Sequence, residues 1–201
     1  MPPVPLRQIR ANYDARTIRV YQAYSNAIAD SALARGNFVS PPFSMTRMTW
    51  IKPSFLWMMY RAGYGFKDAG QARILAIDMT REGFEWALAH ACLSHPGPGM
   101  SREKWMLWKA RSPVRVQWDP ERDLQHQPLS YRAIQIGLSG PAVRLYITEW
   151  IRSITDITEQ AHAVHAQVRA GRLQDAHALL PEERPYAFVN AQAEQVSRRL
   201  F

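Results

Sequence analysis

Four stretches of the chain carry apolar residues with the short period of a β-strand and are rich in β-branched and aromatic residues. Between them the apolar positions recur with the longer helical period, so helices and strands alternate along the chain. No glycine fingerprint of a βαβ nucleotide-binding unit accompanies them. The pattern predicts an α+β domain with a central, mostly antiparallel sheet flanked by helices. The predicted strands are residues 17–24, 73–79, 113–118 and 132–138.

Capping residues and glycines set the limits of the helical stretches. Ser25 or Asn26 can cap a helix that Gly36 ends, and Pro53 suits the first turn of an apolar helix. The predicted helices are residues 26–36, 53–61, 80–90, 101–110, 139–151 and 156–180, the last broken at Gly171. Irregular structure is predicted over residues 38–51, 96–99 and 119–128.

The composition is that of one globular domain. The chain has 201 residues, of which 47% are hydrophobic and 21% charged, and both fractions are ordinary. We expect a single domain over residues 1–186, with a Pro-rich lead-in over residues 1–8, and a polar, basic tail over residues 187–201. The one cysteine, Cys92, excludes an internal disulfide and suits a reducing compartment.

The N-terminal residues and the lengths of the apolar runs indicate the cellular compartment. The basic segment and apolar stretch of a secretory signal do not occur at the N-terminus. The chain also has no run of about 18 apolar residues, which a membrane-spanning helix would need. We therefore expect a cytoplasmic protein with no membrane partner.

The charge of the chain indicates a class of partner. The formal net charge is +8, and a basic surface attracts the phosphates of nucleic acids, nucleotides or lipid headgroups. The cations are scattered rather than collected in a tail, so a solvated basic surface is the alternative to a phosphate-binding role.

Familiar catalytic motifs are missing from the sequence. It contains no P-loop, no Gly-x-Gly-x-x-Gly and no Gly-x-Ser-x-Gly. His162 and His165 have a spacing that metal ligands on a helix can have, but no third ligand is evident. His90, Cys92 and His95 match no metal motif. We expect no metal cofactor, and we interpret Cys92 as a buried structural thiol.

The densest chemistry lies over residues 47–61, where cations, hydroxyls and aromatic rings surround a helix start. Arg47, Lys52 and Arg61 bracket an apolar helix, so we expect them to line a common cleft. Ser54 and the free amides at the helix N-terminus would favour an anion. The alternative is that the aromatic residues are core and the cations are solvated.

Six stretches resemble the signature segments of one known family, domain of unknown function 4291. The resemblance runs from about residue 7 to residue 186. These segments are residues 20–24 (VYQAY), 38–43 (FVSPPF), 47–61 (RMTWIKPSFLWMMYR), 83–87 (GFEWA), 117–122 (QWDPER) and 131–138 (YRAIQIGL).

The order of elements also resembles that of the ADP-ribosyltransferase superfamily, which implies NAD as a substrate. The resemblance puts Gln22 in place of a histidine that holds the NAD ribose, and Gln135 where a catalytic glutamate would be expected. A neutral amide cannot stabilise a developing oxocarbenium ion as a carboxylate does. Glu121 is therefore the first candidate for the catalytic carboxylate and Asp119 the second.

The same resemblance implies that a set of side chains converges on one pocket with Arg47 or Arg61 beside it. Tyr21 would pack against nicotinamide, and the arginines would bind the pyrophosphate. Polar side chains would hold the ribose hydroxyls; these are Gln22, Ser54 and Gln135.

Three functions are compatible with these observations. The first is an NAD-dependent ADP-ribosyltransferase-like enzyme that acts on nucleic acid or a nucleotide. The second is a basic nucleic-acid-binding module without catalysis, and the third is a binding protein for a small phosphorylated ligand. The sequence does not identify the acceptor.

Overall fold

A computed structural model describes residues 4–97 and 99–201. Part of the predicted lead-in, residues 1–3, and Pro98 of the predicted loop over residues 96–99 lie outside the described residues. The strands are β1 Arg10–Ala11, β2 Thr17–Tyr24, β3 Thr49–Ile51, β4 Arg73–Thr80, β5 Ala91–Leu93, β6 Val114–Arg122, β7 Pro128–Leu138, β8 Ile151–Asp156 and β9 Arg184–Pro185. The helices are α1 Asn26–Arg35, α2 Phe55–Ala62, α3 Arg81–Ala89, α4 Arg102–Arg111, α5 Pro141–Leu145, α6 Thr158–Arg169, α7 Leu173–Ala178 and α8 Ala191–Ser197.

The strands form two main sheets and one short ladder. One sheet has the order β2-β4-β8, the other has the order β3-β7-β6-β5, and β1 pairs with β9. Only the β5–β6 pair is parallel among the described strands. The α+β fold with mostly antiparallel strands is therefore confirmed. The four predicted strands do not share one central sheet, however, because β2 and β4 belong to one sheet and β6 and β7 to the other.

The two main sheets meet at a single backbone bridge. The Tyr21 amide donates to the Lys52 carbonyl at 2.7 Å, and the Lys52 amide donates to the Tyr21 carbonyl at 3.2 Å. Tyr21 lies in β2, and Lys52 directly follows β3. The bridge thus joins an edge of one sheet to an edge of the other.

Both faces of the three-stranded sheet are buried. On β2, Ile18 and Val20 belong to the main core cluster, whereas Tyr21 belongs to a smaller cluster with α2 and α6. Ile74 and Ala76 of β4 also face that smaller cluster. This division follows from the alternation of side chains along a strand.

Local capping signals explain several of the helix limits. Gly36 ends α1 with a φ of 65°, a left-handed conformation that glycine adopts at little cost. The Ser54 hydroxyl accepts a hydrogen bond from the Trp57 amide at 3.1 Å and caps α2. Since Ser54 is the cap, Pro53 precedes α2. The prediction that Pro53 occupies the first turn of this helix is therefore wrong.

Three predicted segments differ from the structure because strand pairing decides them. Part of the segment predicted to be irregular forms β3, which pairs with β7. Residues after Trp118 continue β6 to Arg122 and do not form a polar excursion. The predicted helix over residues 139–151 ends in a π-helical turn, Tyr146–Trp150, and the chain then enters β8, which pairs with β4.

The C-terminal residues pack against the domain. Helix α8 lies within residues 187–201, which the sequence indicates as a polar, basic tail. The Glu85 carboxylate of α3 accepts hydrogen bonds from the backbone amides of Val189 and Asn190 at 2.7 and 2.9 Å. The Trp118 indole donates to the Leu200 carbonyl at 2.7 Å. None of the helices described over residues 4–97 and 99–201 has the length and apolar character to cross a membrane.

Candidate functional site

A cleft of about 890 Å³ opens where the two main sheets meet. Its walls come from β2, β3, α2, β6 and β7, together with the segment that precedes β3. The cleft brings together six of the nine residues singled out in the sequence. These are Gln22, Arg47, Lys52, Arg61, Asp119 and Gln135. We call it the cationic cleft.

The charge of the cationic cleft is strongly positive. Four cations line it, namely Arg47, Lys52, Arg61 and Arg122, and Asp119 is the only acidic side chain among the described residues of its lining. Arg47, Lys52 and Arg61 thus share one cleft, as expected from their positions around α2. Such an excess of cations attracts anions.

Aromatic rings form one wall of the cationic cleft. Trp57 and Tyr60 of α2 are stacked, with ring centroids 5.3 Å apart. The Arg122 guanidinium lies over the Tyr60 ring, 4.0 Å from its centroid, in a cation–π contact. A flat ligand group can therefore meet a ring and a guanidinium on the same wall.

Asp119 is held in place by two glutamines. The Gln117 amide donates to Asp119 Oδ1 at 2.9 Å, and the Gln135 amide donates to Asp119 Oδ2 at 2.6 Å. Gln117 and Gln135 are directly opposite in the β6–β7 ladder, so the sheet fixes both donors. Each carboxylate oxygen accepts a hydrogen bond from a neutral amide, so the two glutamines fix the orientation of the carboxylate.

Lys52 is the most buried cation of the cleft. Its side chain is 7% exposed, and its ammonium makes no hydrogen bond or ion pair with the residues that the structure describes. Burial and the neighbouring Arg61 lower the pKa of Lys52 to about 8, although Asp119 acts in the opposite direction. An ammonium at the end of a largely buried side chain, with no protein partner, is unfavourable in a folded protein.

Gln22 lies at the floor of the cleft in a hydrogen-bonded network. Its amide NH₂ donates to the Thr49 and Tyr24 hydroxyls at 2.7 and 2.9 Å, and its Oε1 accepts from the Tyr146 hydroxyl at 2.9 Å. Burial raises the pKa of Tyr24 to about 12. The donors of Gln22 are thus taken by protein acceptors, which leaves one acceptor position on Oε1 for a ligand.

Tyr21 does not line the cleft. Consecutive residues of a strand face opposite sides, so the cleft receives Gln22 while the Tyr21 ring packs edge-on against Phe55, with centroids 5.5 Å apart. The implied contact between Tyr21 and nicotinamide is therefore not supported by its position in the smaller core. Strand alternation alone separates these two residues.

Ser54 and Glu121 lie in a second pocket of about 380 Å³, which also contains Glu183. We call it the acidic pocket. Glu183 Oε1 accepts a hydrogen bond from the Phe55 amide at 2.7 Å, at the first residue of α2. The acceptor at this helix N-terminus is thus a side chain of the protein itself, and the site expected there for a ligand is already filled.

Both carboxylic acids of this pocket are perturbed by burial. Burial raises the pKa of Glu183 to about 8, to which the nearby Glu121 contributes, while the Phe55 amide and Arg10 act in the opposite direction. Burial likewise raises the pKa of Glu121, whose carboxylate accepts from the Arg122 amide at 2.9 Å. These groups are held by the protein and do not face the cationic cleft.

A break in strand alternation moves Glu121 out of the cationic cleft. Asp119 and Glu121 are two apart and would share a face of a regular strand. The β6–β7 register shifts at this point, because Pro120 pairs with Arg132 whereas Arg122 pairs with Pro128. Glu121 is buried on the other side as a result.

Several lining residues were not predicted from the sequence. Gln117 lies two residues before Asp119 in β6, and the alternation of side chains along a strand places both on one face. Trp57 and Tyr60 lie within residues 47–61, but their position as a wall of the cleft depends on the contact with Arg122 of β6. Over residues 4–97 and 99–201, no group of three histidine, cysteine or acidic side chains is arranged to hold a metal ion.

The fold and the cleft define a class: an α+β domain with a cleft of cations and aromatic rings at the junction of two mostly antiparallel sheets. The family model described as Domain of unknown function (DUF4291) matches residues 8–186, and the chain belongs to this family. The membership predicted from the sequence segments is thereby confirmed. Comparisons with curated proteins and with solved structures give no match.

Proposed function

We propose that the cationic cleft binds NAD and that the protein is an ADP-ribosyltransferase-like enzyme acting on nucleic acid or a nucleotide. The observation that carries the proposal is the placement of one oriented carboxylate, Asp119, among four cations and a wall of aromatic rings. A dinucleotide presents the complementary groups, which are two phosphates, flat rings and a glycosidic bond that can be broken.

The cations and the rings provide the binding. Arg47, Arg61 and Arg122 line the cleft and would hold the pyrophosphate through charge-assisted hydrogen bonds. The partly exposed Tyr60 ring and the Arg122 guanidinium that lies over it would pack against a base or nicotinamide. In this proposal an aromatic ring of α2 packs against nicotinamide, the role that the resemblance had implied for Tyr21.

Asp119 takes the catalytic role in this proposal. The bond between nicotinamide and ribose breaks, its electron pair leaves with nicotinamide, and positive charge develops on the ribose. The acceptor then forms a bond to the same ribose carbon and loses a proton. A fixed carboxylate stabilises the positive charge, and Asp119 faces the cleft whereas Glu121 does not.

The test is incubation of the protein with labelled NAD and mixed RNA and DNA, followed by measurement of transferred label. We expect transfer by the unchanged protein and a loss of at least about 100-fold in Asp119→Asn. The matched control is Glu121→Gln, which changes a carboxylate two residues away in the acidic pocket and should leave transfer within a few-fold of the unchanged protein.

Two outcomes would contradict the proposal. If NAD neither raises the melting temperature nor transfers label, the cleft belongs to a nucleic-acid-binding module or to a binder of a small phosphorylated ligand. If transfer is lost in Glu121→Gln and kept in Asp119→Asn, the reaction class stands but the carboxylate is assigned wrongly.

A further inference from the structure

We propose that Lys52 is a reactive amine that forms an imine with ligands carrying both a carbonyl group and a phosphate. The side chain is 7% exposed and lines the cationic cleft. Its ammonium finds no hydrogen-bond or ion-pair partner in the part of the chain that the structure describes. Buried lysines are ordinarily paired, so a lysine that is buried and unpaired indicates a partner from outside the chain.

The backbone holds Lys52 in a fixed position. Both of its backbone hydrogen-bonding groups pair with Tyr21, the preceding Ile51 is fully buried, and Pro53 follows. Only the end of the side chain reaches the cleft. A nucleophile whose base is fixed in this way is presented to a ligand at a constant place.

The surroundings of Lys52 favour its neutral, nucleophilic form. Burial and Arg61 of α2 disfavour the ammonium, and Asp119 of β6 only partly offsets them. With a pKa of about 8, roughly a tenth of the amines would be neutral at pH 7 and about half at pH 8. Desolvation beside another cation is a recognised way to activate a lysine toward carbonyl carbons.

The neighbouring arginines select the class of ligand. Arg47, Arg61 and Arg122 line the same cleft and would bind a phosphate, which would place the carbonyl near the amine. The neutral Nζ attacks the carbonyl carbon, its proton passes to the carbonyl oxygen, and water leaves as the C=N bond forms. No oxidant or reductant is needed, and the step does not involve NAD.

The probe for this test is pyridoxal 5′-phosphate, which combines an aldehyde, a phosphate and a flat ring. Borohydride reduction fixes the imine, and peptide mapping locates the label. The chain has four lysines, Lys52, Lys67, Lys104 and Lys109, so every lysine other than Lys52 serves as an internal reference. We expect Lys52 to be labelled at least about ten times faster than each exposed lysine.

The ligand class is tested by competition. Inorganic phosphate should slow the labelling of Lys52 and leave the other three lysines unchanged. Pyridoxal without its phosphate should label Lys52 several-fold more slowly than the phosphorylated probe. Equal labelling by the two probes would show that the arginines do not select the ligand, and would overturn that part of the proposal.

Two variants distinguish the role of Lys52 as a nucleophile from its role as a positive charge. Lys52→Arg keeps the cation but cannot form an imine, so the cleft label should be lost while the melting temperature still rises with phosphate. Lys67→Arg, at an exposed lysine, is the matched control and should retain the cleft label. The proposal fails if Lys52 of the unchanged protein is labelled no faster than Lys104 and Lys109, a result that requires no variant to fold.

Because the probe contains no NAD, this experiment and the NAD transfer test can fail separately. Loss of label at Lys52 with retained transfer would remove only the imine. Label at Lys52 without transfer would favour a binder of phosphorylated carbonyl compounds.

Discussion

The cationic cleft and the acidic pocket lie on either side of the same short segment, and they differ in whether the protein supplies a partner for an ionisable side chain. Lys52 lines the cleft and Ser54 lines the pocket, with only Pro53 between them. In the pocket, Glu183 accepts a hydrogen bond from the first amide of α2. In the cleft, Lys52 has no such partner in the described residues. A buried group that the protein satisfies stabilises the fold, whereas one that it leaves unsatisfied is available to a ligand.

The largest expected effect is a gain of stability when the unsatisfied charge is removed. Lys52→Met shortens the unbranched side chain by one atom and abolishes its charge. We expect the free energy of unfolding at neutral pH to rise by up to about 3 kcal/mol, since the pKa of Lys52 is depressed from 10.5 to about 8. Urea unfolding measures it.

The pH dependence of the same variant provides its control. The folded pKa of Lys52 lies below the unfolded one, so the unfolded chain holds the proton longer, and the stability of the unchanged protein should rise between about pH 8 and 10.5. Lys52→Met should lack this rise. A Met variant that is less stable than the parent at neutral pH would mean that Lys52 has a structural partner, and the contrast between the two regions would disappear.

The second effect, of opposite sign, concerns the carboxyl group of Glu183, whose hydrogen bond the protein satisfies. Glu183→Ala removes the acceptor of the Phe55 amide and should lower the free energy of unfolding by about 2 kcal/mol. Glu183→Gln keeps a neutral acceptor in the same place and should lose less than half of that amount at neutral pH, where a carboxyl group with a pKa of about 8 is mostly protonated. Denaturant unfolding of the three proteins side by side makes the comparison.

Glu183 also predicts a distinct pH response. Its folded pKa is raised from 4.5 to about 8, so the folded protein holds the proton longer than the unfolded chain, and this group should lower stability as the pH rises through that window. Glu183→Gln should remove the decline. An unchanged slope would show that Glu183 is solvated, not buried.

The smallest expected effect is on stability when Ser54 is replaced, and it tests whether the cationic cleft and the acidic pocket are independent. Ser54→Ala should lower the free energy of unfolding by about 1 kcal/mol, because the Trp57 amide loses its acceptor. It should leave phosphate binding in the cleft unchanged, since Ser54 faces the acidic pocket. Ser101→Ala removes the exposed cap of α4 and should cost less, because water can replace the hydroxyl there. Weaker phosphate binding in Ser54→Ala would show that the two regions are not independent.

Much of the fold could be predicted because its signals are local. Strand β2 has the predicted limits, and Gly36 ends α1, since alternation and a left-handed glycine are features of neighbouring residues. Strands β3 and β8 were missed because each is defined by its partner, β7 and β4. A three-residue strand has too few positions to show a period.

The candidate site could be predicted where side-chain direction follows from regular spacing. Arg47, Lys52 and Arg61 could be assigned to one cleft because they bracket one helix. Glu121 could not be excluded from it, because the register shift beside Pro120 depends on the pairing with β7. Glu183 was not singled out, since it lies 128 residues from Phe55 in sequence and meets it only in the folded chain.

The short β1–β9 ladder has a consequence for the modularity of the family domain. The matched segment runs from residue 8 to residue 186, and its two ends are adjacent, with Arg10 opposite Pro185 and the Tyr186 amide bonded to the Ile9 carbonyl at 2.8 Å. A unit with adjoining ends can be inserted into a surface loop of a host protein, or be circularly permuted through a short linker, without stretching either connection. The adjacent ends of residues 8–186 give the family segment the geometry that such an insertion requires.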